Sequence, residues 1–273
     1  MRLMRMLHVF RNTPAGRETL LGAAWLAQRT GVQLAVHVPA EARFAMNLGR
    51  DLVEIPLDAS YLTSPGTARR HAEAVLAGRG VPFRFVEPSH RVASTLPEIP
   101  ADFDLMSCPR SLAEPQLPAI PGVLGNRVRR LVRAAPFPVL LPTIPFLEWD
   151  RIVVFFAGSE HALRALAWGE AIARSSGAPL EVVTVDERDA VARSRRALER
   201  AGILDRIEPV WTVSGTGSWE ETLWEIPRTA LVAAGAFGHS GIKATMFGSR
   251  TELLQSSLPN PMLLVGPAAP LPA

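Results

Sequence analysis

The two halves of this sequence repeat each other, and the repeat constrains the fold more than any other feature. Residues 6–39 align without a gap with residues 152–185, at a constant offset of 146. Both segments show an apolar strand, a helix rich in Ala and Leu that ends at a glycine, and a second apolar strand. Residues 125–141 align with residues 248–264 at an offset of 123, each with a helix, a P-x-P break and an apolar strand. The repeat predicts two tandem copies of one α/β unit.

The order of elements within each copy predicts the fold class. Strands alternate with helices, which indicates a parallel sheet covered by helices on both faces. We expect two domains, residues 1–146 and residues 147–273, each with a five-stranded parallel sheet. Because the two offsets differ by 23, the first copy carries about that many additional residues in its middle.

The last strand of each copy predicts how the two copies meet. The first copy ends in "FPVLLPTI" and the second in "NPMLLVG". An apolar strand at an open sheet edge invites aggregation unless another strand covers it. We therefore expect the two fifth strands to pair within the chain, which would make the protein an internal pseudo-dimer.

Composition narrows the classes of protein to consider. The chain is 48% apolar, and its net charge is only +3, with Arg residues scattered along it. This pattern does not favour a nucleic-acid partner. The single cysteine, Cys108, excludes an internal disulfide and a Cys-rich zinc site, and we expect no metal site. No apolar run reaches the roughly 18 residues that span a membrane, so we expect a cytoplasmic protein without a membrane partner.

The candidate functional motif is "GAFGHSGIKATMFGSR" in the second copy. It follows the apolar run "ALVAAG" and contains Gly235-x2-Gly238, nine further residues, and then Gly248-Ser249. Glycine lets the main chain approach phosphate oxygens and direct N–H groups at them. Gly248 and Ser249 stand at a helix start, where free amides and the Ser hydroxyl favour an anion. Two interpretations remain open from these residues: a phosphate cradle, or a tight connection without a ligand.

This spacing resembles the G-x2-G-x9-G-[ST] signature of the universal stress protein family, and "GSEHALRALAWGEAIA" resembles that family's first loop and helix. The resemblance covers most of the chain, as two such domains in tandem. It implies a Rossmann-like, adenine nucleotide alpha hydrolase-like fold. It also implies binding of ATP, ADP or AMP, with Mg²⁺ accompanying the phosphates. Gly235 and Gly238 would then line the phosphate and ribose, while Gly248 and Ser249 would hold the phosphates.

Further positions complete the nucleotide site that the resemblance implies. Adenine would lie at the end of the second strand, around Val183 and Thr184, and the nucleoside beside the loop residues Ala157 and Gly158. Ala157 is a departure, because the family usually has an Asp at this position. The missing acceptor costs roughly 1–3 kcal/mol, which is about ten- to hundredfold in affinity.

The first copy departs further from the family. Its first strand leads to Arg11 in place of the Asp, and "SCPRSLAEPQLPAIPG" stands where the glycines are expected. Proline lacks the N–H group that a phosphate cradle needs. We therefore expect the first copy to bind no nucleotide and to act as a structural partner of the second.

The sequence contains no recognisable catalytic constellation. The G-x-S-x-G and H-E-x-x-H motifs and the Gly-Lys-Ser/Thr ending of a Walker loop are all absent. We assign no catalytic residue, and slow ATP hydrolysis, without an identified general base, is the only reaction left open. We expect a stress-response or regulatory protein whose second domain binds ATP or a related adenine nucleotide. The alternative is a nucleotide-free scaffold that acts through contacts with a protein partner.

Overall fold

The computed structural model of the chain describes residues 4–49, 51–57, 64–93, 96–110, 124–156, 158–185, 190–200, 202, 210–214, 223–237 and 258–272. In the first half, these ranges contain β1 (Arg5–Val9), α1 (Pro14–Thr30), β2 (Gln33–His37), β3 (Arg43–Asn47), β4 (Leu52–Pro56), α2 (Pro65–Ala77), β5 (Phe83–Phe85), β6 (His90–Ala93), β7 (Leu96–Ile99), β8 (Leu105–Ser107), α3 (Asn126–Ala134) and β9 (Val139–Leu141). In the second half, they contain β10 (Arg151–Phe155), α4 (Glu160–Ser176), β11 (Leu180–Val185), α5 (Ala190–Arg200), β12 (Val210–Ser214), β13 (Ala230–Gly235) and β14 (Met262–Val265).

Ten of the described strands form one sheet, in the order β12-β11-β10-β13-β14-β9-β8-β1-β2-β5. Within each half, neighbouring strands are parallel. Each half also has the same internal order, because its first strand lies between its second strand and the strand that precedes its last. This is the Rossmann-like arrangement, and the α/β fold class predicted from the sequence is confirmed.

The two halves of the sheet join through their last strands. β9 and β14 are antiparallel, and Leu140 lies opposite Leu263, with Val139 opposite Leu264. All four side chains are buried. Each apolar strand therefore covers the sheet edge that the other would expose to solvent.

The two long helices that follow β1 and β10 begin and end in the same way. Thr13 caps α1 by accepting a hydrogen bond from the Gly16 amide at 2.9 Å, and Ser159 caps α4 by accepting one from the Ala162 amide at 3.1 Å. Each helix ends at a glycine in the left-handed region, with φ of +72° after α1 and +70° after α4. These caps explain why the helix boundaries coincide with the sequence repeat.

A second sheet of four strands, in the order β4-β3-β7-β6, belongs to the first half. The hairpin of β3 and β4 lies between β2 and α2, and the hairpin of β6 and β7 lies between β5 and β8. β3 and β7 pair in parallel and so unite the two hairpins. The first half therefore has a second sheet beside the five parallel strands predicted for it, and the sequence did not indicate this addition. Part of the additional length is β-structure.

Apolar side chains are buried on both faces of the large sheet. Adjacent residues of β1 point to opposite faces, so Met6 and Leu7 belong to different clusters. Helices α1, α2, α4 and α5 contribute to the cluster of Met6. Helix α3 and the four-stranded sheet contribute Val128 and Phe44 to the cluster of Leu7.

Two further observations concern the single cysteine and the possibility of a membrane-spanning helix. Cys108 is fully buried, and burial raises the pKa of its thiol to about 12, so it behaves as a small apolar residue. Among the described helices, none is both long enough and apolar enough to cross a membrane.

Candidate functional site

The candidate site lies where β10, β11 and β13 end. These strands are parallel, so their carboxyl ends share one side of the sheet. β10 lies between β11 and β13 in the sheet, so the strand order reverses at β10. Ligands in open α/β sheets bind at the carboxyl end of such a reversal. We call this region the site edge, and define it as the carboxyl ends of β10, β11 and β13 together with the first turn of α4.

Gly235, the last residue of β13, lies directly against the first turn of α4. A Cβ atom at Gly235 would lie 2.6 Å from the carbonyl carbon and oxygen of His161 and 2.9 Å from the amide nitrogen of Ala162. These neighbours are main-chain atoms, which cannot move aside as a flexible side chain does. Glycine is therefore required here for close contact of helix and strand. Its contact with a phosphate or ribose remains a prediction.

The N-terminus of α4 contributes a capped turn and a carboxylate to the site edge. Gly158 has a φ of +75°, and Ser159 follows it as the helix cap. Glu160 accepts a hydrogen bond from Arg164 at 2.5 Å and stands in the first helical turn. The carboxylate of Glu160 opposes an anion at this helix start. The start of α4 is therefore a poor place for a phosphate.

The other predicted nucleotide-binding residues fall into two groups. Thr184 is only 1% exposed and pairs with Val213 across β11 and β12, so it lies beneath the surface of the site edge. Four predicted residues lie outside the described ranges: Ala157, Gly238, Gly248 and Ser249. The structure thus brings Gly158 and Gly235 to the site edge, and the rest of the nucleotide site stays a prediction.

The main chain is strained immediately before Gly238. Phe237 has a φ of +65°, the only positive φ of a non-glycine residue in the described part of the chain. A bulky residue is rarely found in the left-handed region, and such conformations concentrate at ligand-binding turns. Sequence reasoning missed Phe237, because a phenylalanine in the left-handed region has no signature in a single sequence.

His161 is half-buried at the site edge, with its Nδ1 atom buried. No described residue donates to or accepts from that atom. Burial lowers the pKa of His161, the nearby Arg164 lowers it further, and Glu160 opposes both effects. The imidazole is therefore neutral at pH 7. It adds no positive charge to the site edge.

The C-terminal segment, residues 266–272, is held against α4, and we call it the tail. Arg164 donates from Nη1 to the carbonyl oxygens of Pro267 at 2.7 Å and Ala269 at 2.9 Å. Trp168 donates from Nε1 to the carbonyl oxygen of Pro270 at 2.8 Å. The tail begins beside the site edge, because the Ala236 amide donates to the Val265 carbonyl at 2.9 Å. No sequence pattern indicated these contacts.

Replacing Arg164 with Gln should release the tail from α4. Two charge-assisted hydrogen bonds of about 1.5–3 kcal/mol each are lost, so local opening becomes easier. We expect hydrogen exchange at the Ala268 and Ala269 amides to accelerate about tenfold or more. Arg174→Gln is the control, since Arg174 lies on the same helix and contacts only Glu170, at 3.7 Å. Equal exchange rates in both variants would contradict this role for Arg164.

In the first half, the end of β2 is covered by the inserted hairpin. His37 occupies the position that aligns with Val183, and its ring meets that of Phe44 edge-on, with centroids 5.5 Å apart. Its Nδ1 atom lies 3.1 Å from the carbonyl oxygen of Val86. An aromatic side chain thus stands in the first half at the position that aligns with Val183, and the lack of nucleotide in this half remains a prediction.

Comparison with known proteins relates part of the second half to a protein family. The universal stress protein family model matches residues 148–207, which include β10, α4, β11 and α5. A universal stress protein from Archaeoglobus fulgidus shares the fold over 96% of this chain and 98% of its own, with 14% identity and a TM-score of 0.59. A functionally unknown protein from Pseudomonas aeruginosa does so over 97% of this chain and 93% of its own, with 16% identity and a TM-score of 0.57.

A solved structure with a different description also shares the fold. The cytoplasmic domain of a prokaryotic cation chloride cotransporter covers 99% of this chain and 98% of its own, with 10% identity and a TM-score of 0.50. No curated protein matches the sequence. Structural similarity at such low sequence identity shows a shared fold. Function has to be argued from the residues of the site. Residues 148–207 therefore resemble the universal stress protein family in sequence, and nearly the whole chain shares the fold of a solved universal stress protein.

Proposed function

We propose that this protein is a regulatory universal stress protein whose second half binds ATP or a related adenine nucleotide at the site edge. The observation that supports the proposal is the contact of Gly235 with the first turn of α4. That contact holds the first turn of α4, which follows β10, against the end of β13. Open α/β sheets bind ligands at this point. The remaining glycines of the G-x2-G-x9-G-S pattern follow directly in the sequence.

Main-chain amides provide the phosphate recognition in this proposal. Gly238, Gly248 and Ser249 supply N–H groups and a hydroxyl, while Glu160 keeps phosphate away from α4. Ala157 offers no carboxylate to the ribose, so affinity should be about ten- to hundredfold lower than with an Asp there. Mg²⁺ would arrive with the phosphates, because no group of three or more His, Cys, Asp or Glu side chains is assembled among the described residues.

Nucleotide occupancy would act on the surface around the site edge. The tail begins next to Ala236 and is held by Arg164, one turn beyond Glu160. A ligand bound at the site edge therefore changes the surroundings of the tail. This surface is where we place the contact with a protein partner.

The test is whether nucleotide binding depends on Gly238. Protein purified without added nucleotide is denatured, and the supernatant is analysed for adenine nucleotides by absorbance and mass. Calorimetric titration with ATP follows, and Gly238→Val should weaken binding by about hundredfold, because a side chain blocks approach of the phosphate. Gly66→Val is the matched control, since a Cβ atom at Gly66 has no heavy atom closer than 3.8 Å.

Two results would contradict the nucleotide proposal. One is the absence of both co-purified nucleotide and binding heat at millimolar ATP. The other is equal ATP affinity in the Gly238 and Gly66 variants. Either result would favour the nucleotide-free scaffold, in which the glycines only turn the chain.

A further inference from the structure

A polar cluster lies at the carboxyl edge of the first half, far in sequence from the proposed nucleotide site. It consists of Asn12 in the loop after β1, Arg17 in α1 and His71 in α2, and we call it the edge cluster. His71 donates from Nδ1 to the amide oxygen of Asn12 at 2.8 Å, and Arg17 donates from Nη2 to the same oxygen at 3.3 Å. Two donors from different helices thus converge on one oxygen atom.

Most of the hydrogen-bonding capacity of Arg17 is unused within the cluster. A guanidinium has five N–H donors, and Arg17 uses only Nη2, which also lies 3.3 Å from His71 Nδ1. Within the described ranges, no carboxylate forms an ion pair with Arg17. Arg17 is exposed, whereas Asn12 and His71 are half-buried. The cluster therefore presents a fixed cation with available donors to solvent.

The surroundings of the edge cluster add positive charge. Neither α1 nor α2 has an acidic residue in its first turn. Arg70 contacts only Thr67 among the described side chains, while Arg69 is paired with Glu87. A region with such an excess of cations attracts anions.

Two main-chain amides in the first turn of α1 are already occupied. Thr13 caps α1 through its side chain, and the Arg17 amide donates to the Thr13 carbonyl at 3.0 Å. An anion here would therefore be held by side chains, whereas the glycine motif of the second half offers main-chain amides. The guanidinium fork matches two oxygens of a phosphate group, while Asn12 and His71 hold the guanidinium in place.

We propose that the edge cluster binds a small phosphate anion, either inorganic phosphate or a phosphomonoester, through Arg17, with Asn12 and His71 positioning its guanidinium. The second half has no equivalent of this cluster, because the position aligned with Arg17 is Leu163. The proposal does not depend on nucleotide binding at the site edge.

The experiment is calorimetric titration of the full chain with inorganic phosphate at constant ionic strength. Arg17→Gln should weaken phosphate binding about tenfold or more, and Arg17→Lys should weaken it less, because lysine keeps the charge and loses the fork. Arg195→Gln is the control, since Arg195 is an exposed arginine in an ion pair with Glu199 at 3.7 Å on α5. Circular dichroism melts verify that each variant is folded.

Two further titrations distinguish the edge cluster from the nucleotide site and identify its ligand. Gly238→Val should leave phosphate binding unchanged. Displacement of phosphate by AMP would identify a phosphomonoester as the ligand, and failure of AMP to displace it would identify the free anion. The proposal is overturned if phosphate produces no heat up to about 10 mM, or if Arg17→Gln binds phosphate as tightly as the unaltered chain.

Discussion

Replacing Gly235 with alanine should destabilise the folded protein by about 3 kcal/mol. The added methyl group would lie 2.6 Å from the main chain of His161, a distance that Cβ atoms do not tolerate. Relief requires a shift of α4 away from β13, and α4 is buried against β10 and β13 along its length. Urea denaturation followed by circular dichroism measures the change in the free energy of unfolding.

The matched substitution is Gly66→Ala in α2, where the same methyl group has space. Its nearest heavy atoms are 3.8 and 3.9 Å away. Alanine favours helix over glycine by up to about 1 kcal/mol, so this variant should be neutral or more stable. If the Gly235 and Gly66 variants have equal stability, the close contact between β13 and α4 is not as described here.

This result would also separate the two roles of the glycine motif. Packing against α4 alone explains the glycine at position 235. If substitution of Gly235 abolished nucleotide binding, displacement of α4 would explain the loss as well as a missing contact with the nucleotide. Gly238 lies outside the described ranges, and the phosphate cradle predicted from the sequence depends on it. It is therefore the position at which nucleotide binding should be tested.

The large sheet could be predicted in part, because its signals are local. Apolar runs, glycine caps and P-x-P breaks recur in both halves, and they indicated the α/β fold. The four-stranded sheet escaped prediction for the opposite reason. Its parallel pairing of Ala45 with Glu98 joins residues far apart in sequence, and its short strands resemble loops.

The candidate site shows the same division between local and distant signals. The spacing of Gly235 and its neighbours was recognisable from the sequence and suggested a phosphate cradle. The packing of Gly235 against His161 was not, since these residues lie 74 positions apart. The same is true of Arg164, whose partners in the tail are about a hundred positions further along the chain. Side-chain pairing at that distance leaves no pattern in a single sequence.

The protein should lose about 4 kcal/mol of stability between pH 6.5 and pH 5 through two buried histidines. Burial lowers the pKa of His8 to about 3 and that of His37 to about 4, from the ordinary value of 6.5. The Nε2 atom of each has no hydrogen-bond partner among the described residues, so a proton there would bury an unpaired charge. Urea denaturation at a series of pH values measures the loss.

The direction of this effect follows from the proton balance of folded and unfolded chains. Above pH 6.5 both states carry neutral histidines, and these groups contribute no pH dependence. Below pH 6.5 the unfolded chain takes up protons that the folded chain excludes. Stability then falls by about 1.4 kcal/mol per pH unit for each histidine, until the pH approaches the folded pKa. At pH 5 this amounts to about 2 kcal/mol for each residue.

The second half of the chain supplies the matched control for His8. His8 Nδ1 lies 3.2 Å from the hydroxyl of Ser107 on β8, and the corresponding pair on β10 and β13 is Val154 and Ala233. The double variant His8→Val, Ser107→Ala reproduces that apolar pair and leaves no hydroxyl unpaired. The double variant should lose half as much stability at pH 5, because only His37 still takes up a proton on unfolding. If the double variant loses as much stability as the unaltered chain, His8 does not titrate on unfolding, and its proton uptake cannot drive the acid transition.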